Sequence, residues 1–346
     1  MTQNCIIAAD RILDQQGDLS ASEQILAQAA QLNLRIRTLE IDPLRTDWNS
    51  PVQDNHYRSG CAPIEALAVA NRLLNESDAD IVVIHGRDYL RSEYSKADRH
   101  QLMNVYGDAG SLPEGYTALA KQFCQLHNLS LDDFIELRDA LFNNLSRTAA
   151  ELDLPLPDQR WYSLLTELFR GVDCANPLVD FEGCLVLCTP ATLPQLSPAI
   201  KPIRIQGIGI GLADADGPEQ VKNLATYHAL EKALHYAEVQ SGIEMATAIA
   251  APNVKLDAYT CYPVVPLALL VKSGAATDKA ALLALLSTKP VTQTGGMNLG
   301  RGAWNNPALN GLISMCLSLQ AGDNQLGIVH GNGGLGYKQG IAVLKS

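Results

Sequence analysis

Two His-Gly pairs, a cysteine just ahead of a proline-started helix, and a glycine-rich carboxyl-terminal stretch are the features of this chain equipped to do chemistry. His85 precedes Gly86 and His330 precedes Gly331, and an imidazole can take and return a proton near neutral pH. Cys61 stands two residues before Pro63, where a helix is expected to begin; a helix amino terminus makes a thiol more acidic and so more nucleophilic. One glycine turn runs from Gly295 and Gly296 through Arg301 to Gly302, and a second covers Gly331, Asn332, Gly333 and Gly334. Glycine lets backbone N–H groups approach a ligand closely. Arg301 could hold a carboxylate or phosphate through two parallel hydrogen bonds, or simply pair with a nearby acid.

Other patterns carry less. The eight cysteines include no Cys-x-x-Cys pair, and most lie in apolar segments, so reduced core thiols are expected. Gly207, Gly209 and Gly211 alternate in a way that invites a dinucleotide reading. That loop should open a helix at once, yet Pro218 delays it and the spacing is not Gly-x-Gly-x-x-Gly. His228 and His235 could share a helix face, but no third ligand accompanies them, and no metal is expected.

The elements that must position these residues follow an α/β rhythm. Residues 4–9 read as a strand, 21–33 as a helix, 34–60 as irregular, 63–76 as a helix and Ile81–Ile84 as a strand. Residues 87–175 form a helical excursion, with helices near 115–128 and 131–150. Strand character returns at Cys184–Cys188, and four prolines from Pro190 to Pro202 mark a linker. The second half starts with a strand at Ile203–Ile210 and a helix around 219–240. A strand near Leu256–Cys261 and a helix from Pro263 come next. A helix over Pro307–Gln320 and strands flanking Gly331–Gly336 complete it.

One unit occurs twice. Pro63 opens a helix leading through an acidic turn into Val83-Ile84-His85-Gly86. Pro307 opens another, leading through a polar turn into Ile328-Val329-His330-Gly331. Proline suits the first helical position because its missing N–H would be unpaired there anyway. Both helices are nearly free of charge, and a helix apolar on every side is buried on every side. Two such helices imply a central helical layer between two sheets, with charged outer helices covering the outside. Two related halves are therefore expected, 1–198 and 199–346, the first carrying the helical loop domain 87–175.

Charge narrows the partners. A net charge of −11 argues against nucleic acid or an anionic membrane as the main partner, while leaving room for a phosphorylated small ligand. No apolar stretch approaches the ~20 residues of a membrane span, and the amino terminus lacks a signal-peptide pattern. The chain is expected in the cytoplasm.

Taken in order, these residues resemble the thiolase superfamily over nearly the whole chain. Ser59-Gly60-Cys61-Ala62-Pro63 with its Ala-rich helix and Asp78-Ala79-Asp80-Ile81 is similar to the family's nucleophile loop, helix and strand. Asp180-Phe181-Glu182-Gly183 resembles the strand ending the first half. Tyr259-Thr260-Cys261-Tyr262-Pro263 stands where the family carries an Asn- or His-containing motif. Thr294–Gly302 resembles its Gly-Gly turn, and Val329–Gly334 its last glycine loop. The resemblance implies a duplicated five-layer α-β-α-β-α fold and acyl-CoA chemistry of the acetyl-CoA acetyltransferase type, with coenzyme A or acyl-CoA as ligand and a possible homodimer.

It also implies roles. Cys61 would carry the acyl group with His330 shuttling the proton, while Tyr259 or His330 would serve as base in a lyase that needs no covalent thioester. Gly295, Gly296, Arg301, Asn332 and Gly333 would hold the ligand. Counting back without a gap from Ser77-Asp78-Ala79-Asp80, however, puts Gly60 at the nucleophile position. Two other readings therefore stand beside the transferase. One is a degenerate homologue that binds coenzyme A or acyl-CoA. The other is a carbon–carbon lyase needing no covalent thioester.

Overall fold

The computed structural model describes residues 3–323 and 325–346. Strand β1 (Cys5–Leu13) turns back through β2 (Gln16–Asp18) into helix α1 (Ser20–Gln31). The segment expected to be irregular contains β3 (Ile36–Ile41) and the two-residue β4 (His56–Tyr57). Period-two alternation is missing from β3, whose first three residues are exposed, which is why the sequence hides it. Helix α2 (Ala62–Asn75) then leads into β5 (Ile81–Tyr89). Helices α3 (Lys96–Leu102), α4 (Leu112–Leu126) and α5 (Leu131–Glu151) lie between β5 and β6 (Asp180–Cys188). Ser95, Ser111 and Ser130 begin these three helices with capping boxes completed by Asp98, Glu114 and Asp133.

The second half contains β7 (Ile203–Leu212), the single-turn α6 (Val221–Leu224), α7 (His228–Ser241), α8 (Met245–Ala250) and β8 (Lys255–Asp257). It continues through α9 (Val264–Lys272), α10 (Lys279–Thr288), the short α11 (Gly296–Leu299), α12 (Pro307–Ser318), β9 (Leu326–Gly333) and β10 (Lys338–Lys345). The helix expected over 219–240 is broken at Tyr227, which has a left-handed φ of 54°. The strand expected near Leu256–Cys261 stops at Asp257, freeing the next residues to line a cavity.

The strands run in the order β4-β3-β5-β6-β1-β7-β10-β9-β8, with β2 paired to β1. Two sheets were expected, yet they are continuous: Cys5 and Ile6 of β1 pair with Arg204 and Ile203 of β7. Helices α2 and α12 occupy one side of both halves. Ile64, Leu67, Leu309, Leu312 and Ile313 share a core with Leu39, Ile84 and Leu185 of the first half and Ile205, Val329 and Leu344 of the second. Each such side chain contributes about 1.5–3 kcal/mol on burial. Helix α1 covers the opposite face of the first half through Ile25 and Ala29. Helices α7 and α9 cover that of the second, together with α4 and α5. The result is the layered α/β arrangement α-β-α-β-α. No helix among the described residues is long and apolar enough to cross a membrane.

Glycines on β7 set the outer packing. A β-carbon on Gly209 or Gly211 would run into the carbonyl oxygen of Ala233 or Ala229 on α7. The alternating glycines that resemble a nucleotide loop are the surface on which α7 rests.

Candidate functional site

A cavity of about 440 Å³ opens between the loops around α3, the start of α4 and the irregular segment after β8. Gly60, Tyr116, Tyr259, Cys261, Tyr262 and Asn332 form part of its wall; Trp48, Met103, Leu112, Met297, Trp304 and Asn305 form more of it. No Lys, Arg, Asp or Glu is among its lining residues. Such a wall favours an apolar group and has hydroxyls, amides, a thiol and the His100 imidazole to orient it.

Gly60 and Cys61 sit at the start of α2, and they face different ways. A β-carbon on Gly60 would collide with the Tyr259 hydroxyl and the carbonyl oxygen of Asn332. The phenol of Tyr259 thus fills the place that a side chain at residue 60 would need. Cys61 is fully buried. Its Sγ lies 2.7 Å from where a β-carbon on Gly340 would be, and its Cα lies 3.1 Å from the equivalent point on Gly331. Glycine at those two strand positions lets the first turn of α2 lie directly on β9 and β10. Burial, aided by nearby Glu65, pushes the Cys61 thiol well up from its ordinary value. The helix amino terminus does not offset this, so the thiolate expected from sequence is not favoured here.

His330 belongs to the other face of the same strands. Gly331 and Gly340 face α2, whereas His330 pairs across the sheet with Ile341, part of the outer core. Neighbouring strand residues point to opposite faces, so β9 lies between the Cys61 sulfur and the His330 ring. The expected thiol–imidazole pair is therefore not assembled. Both ring nitrogens are engaged. The Tyr259 backbone N–H donates to Nδ1 at 3.4 Å, which leaves Nε2 to donate to Gln339 Oε1 at 2.8 Å. Burial lowers the imidazole pKa to about 4, and the ring is neutral at physiological pH.

From Gln339 the hydrogen bonds run on toward the cavity. Gln339 Nε2 donates to Asn332 Oδ1 at 2.6 Å, and Asn332 Nδ2 donates to the Tyr116 hydroxyl at 3.0 Å. Tyr116 donates to the Gly334 carbonyl at 2.5 Å and accepts from Cys261 Sγ at 3.3 Å. Tyr116 also stacks on Tyr262 with ring centroids 4.1 Å apart. His330 thus stiffens the cavity wall from behind without entering the 440 Å³ space. The Tyr259 hydroxyl makes no hydrogen bond among the described residues and lines the cavity. Burial drives its pKa far above its ordinary value, so it can donate a hydrogen bond but is a poor base.

The expected ligand-holding residues divide. Asn332 lines the cavity. Gly333 is packed against Ser59, whose Oγ lies 2.6 Å from where its β-carbon would be. Gly295 and Gly296 have φ of 77°, but the Gly296 N–H is used by Thr292 Oγ1 at 3.1 Å, and neither residue lines the cavity. Arg301 is turned to Asp14 in an ion pair and to the Leu178 carbonyl at 3.1 Å. It is not free to grip a phosphate. Tyr116, Trp48, Trp304 and Asn305 escaped sequence reasoning. They are scattered over the chain and share no motif; only the aromatic content of the loops could have drawn attention to them.

No protein-family profile and no curated protein sequence matches the chain. Solved structures do. A monomeric SCP2-thiolase-like protein type 1 from Mycobacterium smegmatis superposes with a TM-score of 0.70 at 16% identity, covering 99% of this chain and 77% of that one. The Ltp2-ChsH2(DUF35) aldolase superposes with a TM-score of 0.67 at 14% identity, covering 99% and 98%. At such identities the likeness is one of fold, and the fold is thiolase-like.

Proposed function

We propose that this thiolase-like protein binds the apolar acyl portion of an acyl thioester, with acyl-CoA as the ligand class, and that it forms no covalent acyl-enzyme. The observation carrying this is the Tyr259 hydroxyl lodged in the position of a side chain on Gly60, at the edge of a cavity without a charged wall. Acyl transfer by the thiolase route needs a thiolate that reaches the thioester carbon. Cys61 points into the core instead, with its thiol held protonated by burial. The cavity suits a hydrophobic acyl group, and the phosphates of coenzyme A would stay outside it.

One observation favours a second reading, a carbon–carbon lyase without a covalent intermediate. The cavity-facing Tyr259 hydroxyl could donate a hydrogen bond to a thioester or carbinol oxygen while charge develops there. One of the similar structures is an aldolase. That reading still requires a base: His330 is occupied on both nitrogens, and the imidazole among the cavity-lining residues is that of His100.

Two of the three tryptophans line the cavity, so intrinsic fluorescence reports its filling. Titration with acetyl-CoA and long-chain acyl-CoA should change the emission with the longer chains, and intact-mass spectra of the same samples should show unmodified protein. A Cys61-dependent acyl adduct would overturn the non-covalent reading. No response to any acyl-CoA would overturn acyl-thioester binding. Turnover of β-hydroxyacyl-CoA that is lost in Tyr259→Phe would favour the lyase.

A further inference from the structure

Between β3 and β4 the chain makes a long loop, residues 42–55, of which only Trp48 lines the cavity. That loop is gathered around one buried guanidinium. Arg58 pairs with Asp42 through Nε at 3.0 Å and Nη2 at 2.9 Å. Its Nη1 donates to the carbonyls of Asp47 at 2.6 Å, Trp48 at 3.0 Å and Ser50 at 2.9 Å. Both Arg58 and Asp42 are buried. A guanidinium can serve several carbonyls and a carboxylate at once; the compact ammonium of lysine cannot match that geometry.

The same network reaches the second tryptophan. Asn305 donates from Nδ2 to the Asp42 carbonyl at 2.7 Å and accepts the Ser59 N–H on Oδ1 at 3.1 Å. It follows Trp304 directly, and Trp304 is held at a φ of 47°, a left-handed conformation unusual for so large a side chain. The two indoles meet edge to face with ring centroids 6.0 Å apart. Asp42, Arg58 and Asn305 therefore fix Trp48 against Trp304 from opposite sides.

We infer that Trp48, set by Arg58, is the end wall that limits the length of the acyl group this cavity accepts. The inference rests on the acyl-thioester reading above and specifies its substrate range. Trp48 and Trp304 define length; Arg58 is a positioning residue that touches no ligand. Leu112 and Pro113, which begin α4, also line the cavity and form its entrance in this reading.

The test is calorimetric binding of straight-chain saturated acyl-CoA thioesters of stepwise length to the whole protein and to Trp48→Ala, Leu112→Ala and Arg58→Lys. Wild-type affinity should rise with length to a limit and then fall. In Trp48→Ala the limit should move outward, with affinity for chains about two carbons longer rising roughly tenfold, because each added buried methylene contributes about 0.8 kcal/mol. Leu112→Ala should keep the wild-type limit. Arg58→Lys, checked for native circular dichroism, should relax the limit although both indoles remain. An unmoved limit in Trp48→Ala, or a limit that moves in Leu112→Ala instead, overturns the inference alone. Absence of binding across the whole wild-type series overturns the acyl-thioester reading and this inference with it.

Discussion

The phenol of Tyr259 and the missing side chain of Gly60 occupy one and the same volume. The Asn332 carbonyl oxygen closes that volume from a second direction. Gly60→Ala should therefore destabilise the protein by about 1–3 kcal/mol through overpacking. Urea unfolding of Gly60→Ala, Tyr259→Phe and the double variant should show positive coupling between the two positions, since both act on one space. Strict additivity would mean that the two groups do not compete.

Cys61 should be chemically silent. Its sulfur is buried between α2 and Gly340 with its thiol pushed up. Native protein treated with iodoacetamide at mildly alkaline pH should leave Cys61 unmodified when digested and mapped, and full reaction should need denaturant. Cys61→Ala should bind acyl-CoA like wild type. Rapid native alkylation at Cys61 would contradict its placement.

His330 should leave a signature in acid. Its pKa in the fold is about 4, against an ordinary value near 6.5. Between those values the unfolded chain binds a proton that the native state refuses, so stability rises with pH there and is lost as pH falls from about 6.5 toward 4. The contribution reaches roughly 3 kcal/mol. Asp88 and Asp257 act oppositely: burial raises both to about 6, so the native state holds protons that the unfolded chain releases. A comparison with His330→Gln isolates the imidazole. The variant should show a shallower loss of stability than wild type over that window in denaturant melts at stepped pH.

Gly209→Ala should be among the most damaging single methyl additions. The new β-carbon would strike the backbone of α7 at Ala233, and a helix backbone cannot swing aside as a side chain can. A loss of about 3 kcal/mol, at the upper end of ordinary overpacking, is expected. A near-neutral melt would show that α7 can slide along β7.

These glycines also show what could be read from the chain. The Pro63 and Pro307 helices were legible as a buried layer because a helix nearly free of charge on every side is buried on every side. Both helices do pack between the halves. The gapless count from Ser77-Asp78-Ala79-Asp80 singled out Gly60, which lines the cavity while Cys61 is buried. Within the glycine-rich turn at 295–302, Met297 and Gly302 line the cavity while Gly295, Gly296 and Arg301 do not, because glycine signals unusual backbone without saying whether its N–H groups face a ligand or a neighbour. Here Thr292 takes the Gly296 N–H, and Asp14 takes Arg301. Of the cavity wall, Tyr259 and Asn332 stood out in the sequence, whereas Trp48, Tyr116 and Trp304 did not. Trp48 and Trp304 come from distant loops and Tyr116 from α4, and only the folded chain brings them to one cavity.

The short ladder joining β1 to β7 has a bearing on how the molecule is made. Strand β1 pairs locally only with the short β2, and its long-range partners, β6 near residue 185 and β7 near residue 203, are made much later. On a ribosome the apolar start of that strand, residues 5–9, which β2 does not reach, must wait unpaired until the chain has been extended past β6. Pairings so distant in sequence carry a large loop-closure cost and form slowly. A nascent chain stalled before β6 should therefore expose Ile6, Ile7 and Ala8, and be a ready client for chaperones that hold hydrophobic segments.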